Sequence, residues 1–119
     1  MKAILINPED RSITEINIDK GIHAIYNTID CDTFSAPVTY ENGDTIYCDD
    51  EGLFKPMIGG IYMINWAHIL FGKVLVIGCD IETGESKDVE TSIDFFEKHI
   101  IWINKEDAEK YVSENLGKI

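Results

Sequence analysis

Basic residues are scarce in this chain: ten Lys and Arg stand against 22 Asp and Glu, a formal charge of -12. That balance has the wrong sign for neutralising phosphates, so neither direct nucleic-acid binding nor docking on an anionic membrane is expected. Cysteine is sparse too. Cys31, Cys48 and Cys79 are odd in number and far apart, which does not make a disulfide scaffold and fits a reducing cytoplasm. No hydrophobic run is long. The longest, residues 57–71, is broken by Gly59, Gly60, Asn65 and His68 and falls short of the roughly 20 residues a membrane helix needs. The opening residues reach Asn7, Pro8, Glu9 and Asp10 without the apolar core and cleavage site of an export signal, so a cytoplasmic protein is expected. Catalytic signatures are missing as well.

What is present is ordinary globular material. At 119 residues, 45% apolar and 27% charged, the chain reads as a single domain over 1–119. Such a domain buries roughly two-thirds of the surface its unfolded chain exposes, so it needs no metal or disulfide staple.

Residues 2–6 (KAILI) form an apolar run of strand length, closed by Asn7-Pro8-Glu9-Asp10; residues 12–18 then alternate, which predicts a hairpin. Asp19 is placed to cap a helix over 20–29, where Ile22, Ile25, Tyr26 and Ile29 recur at helical spacing. Strands are predicted over 33–40 and 45–49, joined through Asn42-Gly43, a pair suited to a type I′ turn because both central residues there take positive φ. Pro37 cannot donate to a ladder and marks the first of these strands as an edge. Asn65 and Gly72 bracket a short predicted helix over 66–71. The uninterrupted apolar run at 73–79 reads as a central strand buried on both faces. Residues 82–85 form a turn, after which 86–90 can pair back. Ser92 or Thr91 caps a helix over 93–98, residues 100–103 form a short strand, and Asn104 caps a last helix with Gly117 past its end. Hairpins interleaved with helices predict an α+β fold, a mostly antiparallel sheet packed with three or four helices.

The acids are unevenly spread. Between positions 30 and 54 lie Asp30, Asp32, Glu41, Asp44, Asp49, Asp50 and Glu51 with no Lys or Arg; between 80 and 97 lie seven more acids against Lys87 alone. If the 42–43 hairpin and the 82–85 turn project from one side, Glu41, Asp44, Asp49, Asp50, Glu51, Glu82 and Glu85 make a field of one sign that steers a basic partner inward. The plainer use of such acids is to keep a small protein soluble and its turns solvated. An EF-hand register fails from both Asp30 and Asp80, for want of Gly at Ser35 and of Glu at Thr91. An irregular Ca²⁺ or Mg²⁺ site at Asp49, Asp50 and Glu51 stays open as an alternative. His23, His68, His99 and the cysteines show no zinc spacing, and His23 and His68 read as partly buried helix residues. No metal and no cofactor are expected. Tyr62, Trp66 and Phe71 in the apolar stretch offer a pocket wall or partner groove, although such a stretch is more often core.

The opening MKAILINPEDRSITE (1–15), the stretch YCDDEGLFKP (47–56), Asn65 with Ala67, and FGKVLVIG (71–78) together resemble a family of small domains of unknown function carried by bacteriophages, plasmids and related elements. The resemblance implies a gene product working inside a bacterial cell and supplies no activity. With the charge pattern it leads to an expected non-enzymatic protein that binds a basic host protein, for instance a nucleic-acid-handling or defence factor, through an acidic surface. A small-molecule sponge or sensor using Tyr62, Trp66 and Phe71 is the alternative, and a metal-assisted enzyme on the acidic turns a weaker one. A homodimer through the edge near Pro37 or the apolar face around Trp66 is also compatible with the pattern.

Overall fold

The computed structural model describes residues 1–52, 55–63, 66 and 69–116, with residues 115 and 116 described by backbone alone. The first strands are β1 (Lys2–Asn7) and β2 (Ser12–Asn17), followed by α1 (Ile22–Thr28), β3 (Phe34–Thr39) and β4 (Thr45–Asp49). Then come β5 (Gly60–Tyr62), β6 (Leu70–Phe71), β7 (Val74–Cys79) and β8 (Ser86–Lys87). The chain closes with α2 (Ile93–His99), β9 (Ile101–Ile103) and α3 (Lys105–Leu116). The main sheet runs β2-β1-β7-β4-β3 with β8 added to β7, and a second sheet runs β6-β5-β9. All the pairings are antiparallel, so the fold is α+β.

The apolar run expected at the centre is there. β7 pairs on one side with β1 (Ile4 opposite Val76) and on the other with β4 (Tyr47 opposite Leu75). Because strand side chains alternate between faces, Val74 and Val76 enter one core cluster with Ile4, Ile6 and Ile46. Leu75 and Ile77 enter another with Ala3, Ile25 and Ile29. The first face is covered by the small sheet and α2, through Ile61, Leu70 and Phe96; the second is covered by α1 and its flanking residues. Complete burial of Val74, Leu75 and Val76 stabilises the fold by roughly 1.5–3 kcal/mol each.

Caps explain the later helices. Ser92 accepts the Phe95 amide and Asn104 accepts the Asp107 amide at 2.8 Å, each satisfying a donor that a first helical turn leaves free. Pro37 sits where expected, on edge strand β3 beside a register shift between Ser35 and Val38.

Three local expectations are corrected. Asp19 does not cap α1: Gly21 holds the cap position at φ 115 with no side-chain bond, so the helix starts at Ile22, which is 49% exposed. The 41–44 turn is a three-residue loop rather than type I′. Tyr40 N–H donates to the Asp44 carbonyl and Gly43 N–H to the Tyr40 carbonyl; Gly43 alone of the Asn-Gly pair has positive φ, while the Asn42 side chain accepts the Asp44 amide. Finally, Leu70 and Phe71 are strand rather than helix. Gly60 opposite Phe71 lets β5 and β6 approach so closely that a Cβ there would lie 2.7 Å from the Leu70 carbonyl oxygen. The proposed Asn65 cap, Ala67, His68 and Gly117 lie outside the described residues.

Burial raises the pKa of the Tyr40 and Tyr47 phenols, reinforced at Tyr40 by Asp44 and at Tyr47 by Cys79. Burial likewise raises the Cys31 and Cys48 thiols, with Asp49 adding to both. Each group keeps its proton in the native state after the unfolded chain has lost it, so the unfolded state binds fewer protons and stability falls as pH rises. Denaturant midpoints are therefore expected to drop between about pH 8 and about pH 11, the window in which free thiols and phenols ionise. Midpoints that stay level across that window would contradict this assignment.

Candidate functional site

Antiparallel pairing of β4 with β7 carries the 41–44 turn to the far end of β7. A Cβ on Gly43 would overlap the Cys79 carbonyl oxygen and touch Ile81, so the two acidic turns are packed together. Glu41, Glu82 and Glu85 are exposed at this end. Asp80 braces the second turn by accepting the Glu82 and Thr83 amides, Lys87 is paired with Glu90 at 3.2 Å, and Ile81 projects among the acids, 72% exposed.

Asp44 is not part of that surface. It is fully buried and accepts hydrogen bonds from the Glu90 and Thr91 amides, the Thr91 hydroxyl and the Asn42 side-chain amide. An Asp following Asn-Gly looks like a solvated turn residue; here the loop turns it inward, where it ties the hairpin to the segment entering α2.

Asp49, Asp50 and Glu51 lie at the opposite end of β4, away from Glu41, so the seven acids do not form one surface. The Asp49 side chain is only 6% exposed and ion-paired to Lys55 at 2.7 Å. That pair, foremost through its hydrogen bond, raises the pKa of Lys55. Among the described residues no three His, Cys, Asp or Glu side chains are grouped to hold a metal ion.

The aromatic trio is also redistributed. Trp66 is 6% and Phe71 7% exposed. Trp66 belongs to the first core cluster, with Tyr62 packed against it, and its indole donates to the Tyr40 hydroxyl. Phe71 meets the Tyr111 ring of α3 with centroids 5.9 Å apart. These side chains fill the interior instead of presenting an apolar face. Cys31 and Cys48 are buried and all three cysteines are free. His23 is exposed rather than partly buried, and His99 Nδ1 lies 2.7 Å from the Phe95 carbonyl.

A cleft that the sequence did not announce opens near Asp49. It has a volume of about 250 Å³ and is bordered by Lys55, Lys73, Asp30 and Glu9 over Ile29 and Met57. Lys55 Nζ donates to the Asp30 carbonyl at 3.1 Å and Lys73 Nζ to the Asp30 carboxylate at 2.7 Å. Glu9, Met57 and Ile58 also wall a neighbouring cavity of about 290 Å³ that reaches Arg11 and Lys105. The contributing segments are scattered along the chain, and each lysine taken singly looks like a solvated side chain. The one local hint was an Asp next to the end of a predicted helix, a position that favours the left-handed backbone.

Among the described residues no helix is long and apolar enough to cross a membrane. A family model described as a domain of unknown function (DUF3846) matches residues 1–101. Neither the curated proteins nor the solved structures contain a match. The chain belongs to the DUF3846 family.

Proposed function

We propose that this family member works by binding rather than by catalysis, docking the end that carries Glu41, Glu82 and Glu85 into a basic groove on a partner protein. The partner best suited is a host nucleic-acid-handling or defence factor in a bacterial cell infected by a phage or carrying a mobile element, and the acidic end stands in for nucleic-acid phosphate. What carries the reading is the packing of the 41–44 turn on the end of β7, which joins two acidic turns into one surface. In a chain of charge -12, such a surface draws a cationic partner in by long-range steering. Ile81, exposed among the acids, adds an apolar contact at the centre, where interface energy concentrates.

Capture of partners from bacterial lysate on the wild type and on the Glu41→Gln, Glu82→Gln, Glu85→Gln triple variant tests this. A stoichiometric basic protein is expected on the wild type, bound about ten-fold or more weakly by the variant and lost as salt shortens the Debye length from about 10 Å to about 3 Å. Equal capture by wild type and variant, or indifference to salt, would overturn the proposal.

A further inference from the structure

Asn42 is followed by Gly43, whereas every other asparagine of the chain precedes a residue that carries a side chain. That distinction is chemical. An asparagine loses ammonia when the backbone nitrogen of the next residue attacks its side-chain carbonyl carbon, and a Cβ on that next residue obstructs the five-membered ring that forms. Glycine has no Cβ and the widest choice of backbone angles. Asn42 is exposed to water, while Gly43 is buried against the Cys79 carbonyl. In the folded turn every group needed for ring closure is engaged elsewhere. Gly43 N–H donates to the Tyr40 carbonyl at 2.9 Å, and Asn42 Oδ1 accepts the Asp44 amide at 2.9 Å. Asn42 Nδ2 donates to the Thr91 hydroxyl at 3.2 Å and to the Asp44 carboxylate at 3.3 Å.

We infer that Asn42 is a self-deamidating site that the folded turn holds closed, so that a lasting opening of the 41–44 turn is recorded irreversibly in the chain. Once the turn opens, the Gly43 nitrogen gives its proton to solvent and bonds to Asn42 Cγ, and the Cγ–Nδ2 bond breaks as ammonia leaves. Water then opens the cyclic imide. Cleavage between the Gly43 nitrogen and Cγ yields aspartate; cleavage at the backbone carbonyl carbon yields isoaspartate, in which the chain runs through the side-chain carbonyl. One water is consumed and one ammonia released, with no oxidant or reductant. Neither product remakes the turn as it was. The donor that served Asp44 and Thr91 gives way to a carboxylate oxygen facing the buried Asp44 carboxylate, and like charges at that separation oppose each other. Isoaspartate also lengthens the backbone of a loop closed by the bond from Tyr40 N–H to the Asp44 carbonyl at 2.8 Å. The hairpin is thereby loosened from the segment entering α2. None of the reacting atoms belongs to Glu41, Glu82 or Glu85, so the inference does not depend on the partner-binding reading.

The full chain is aged in neutral buffer, with and without urea at an unfolding concentration. Conversion is read by mass spectrometry of the peptide containing Asn42 and by enzymatic methylation of isoaspartate. In urea, Asn42 is expected to convert, with isoaspartate among the products. In the native state conversion should be at least about ten-fold slower, because reaction waits on the fraction of molecules with the turn open. Thr91→Val removes a partner of both Nδ2 and Asp44 and should speed native conversion several-fold. Asn42→Asp, made directly, should unfold at lower urea than the wild type. Equal rates in the native and unfolded chains, or no conversion of Asn42 in urea, would overturn the inference. So would native conversion unchanged by Thr91→Val, or an Asn42→Asp variant as stable as the wild type.

Discussion

Asp44→Ala is expected to destabilise the domain by about 3 kcal/mol or more, although the residue lies in a turn where substitution looks harmless. The carboxylate is fully buried and takes the amides of Glu90 and Thr91 and the Thr91 hydroxyl. Alanine leaves those part-buried donors without the acceptor that the folded chain supplies. Each buried orphan donor costs about 1–3 kcal/mol, and the vacated volume adds to that. Asp44→Asn keeps an acceptor of similar shape and should cost less, about 1–2 kcal/mol, because a neutral acceptor makes weaker bonds than a charged one. Urea unfolding of the two variants beside the wild type measures both. An alanine variant as stable as the wild type would show that the 90–91 segment does not need this anchor.

Gly43→Ala carries the second large expected effect. The position has φ 94, where an L side chain costs about 1–2 kcal/mol, and its Cβ would overlap the carbonyl oxygen of Cys79. That obstacle is backbone at the end of β7, so rotation of a side chain cannot relieve it; the turn must lift away. A loss of at least about 2 kcal/mol is expected once both terms act. Amide shifts should move at residues 79–85 as the two acidic turns separate. Weakened capture of the proposed basic partner should accompany them, with the charges themselves untouched. Unchanged shifts at 79–85 would mean the turns are not coupled, and the electrostatic surface would have to be redrawn.

Elements with strong local signals were readable from residue types alone. The β1–β2 hairpin is closed by an Asn-Pro turn, β7 is an unbroken apolar run, and α2 and α3 begin at Ser92 and Asn104, whose side chains make the capping bonds. The apolar stretch before β7 was not readable in the same way. Its side chains fit either a helix or a strand over so short a span, and the choice was made by pairing with β5 through Gly60. Burial of Asp44 was hidden for a related reason: the groups that satisfy it, at 90–91, are remote in sequence. The acidic turns were visible as composition, whereas their packing together depends on the antiparallel register of β4 and β7. The cleft beside Asp49 draws on five separate stretches and has no motif, so only the assembled fold brings its lysines together.

The position of β7 in the sheet also sets an order of assembly. The β1–β2 and β3–β4 hairpins each pair residues close in sequence and can zip up soon after they are made. Neither can join the other until β7 is available, since Ile4 and Ile46 both pair with Val76. Until then each hairpin exposes a ladder edge and one apolar face of the future interior. Long-range pairings of this kind slow folding because the intervening chain must close a loop before any contact offsets the lost entropy. The strand that seals both hairpins is therefore the step on which cooperative folding waits, and a newly made chain is most open to misassociation just before β7 arrives.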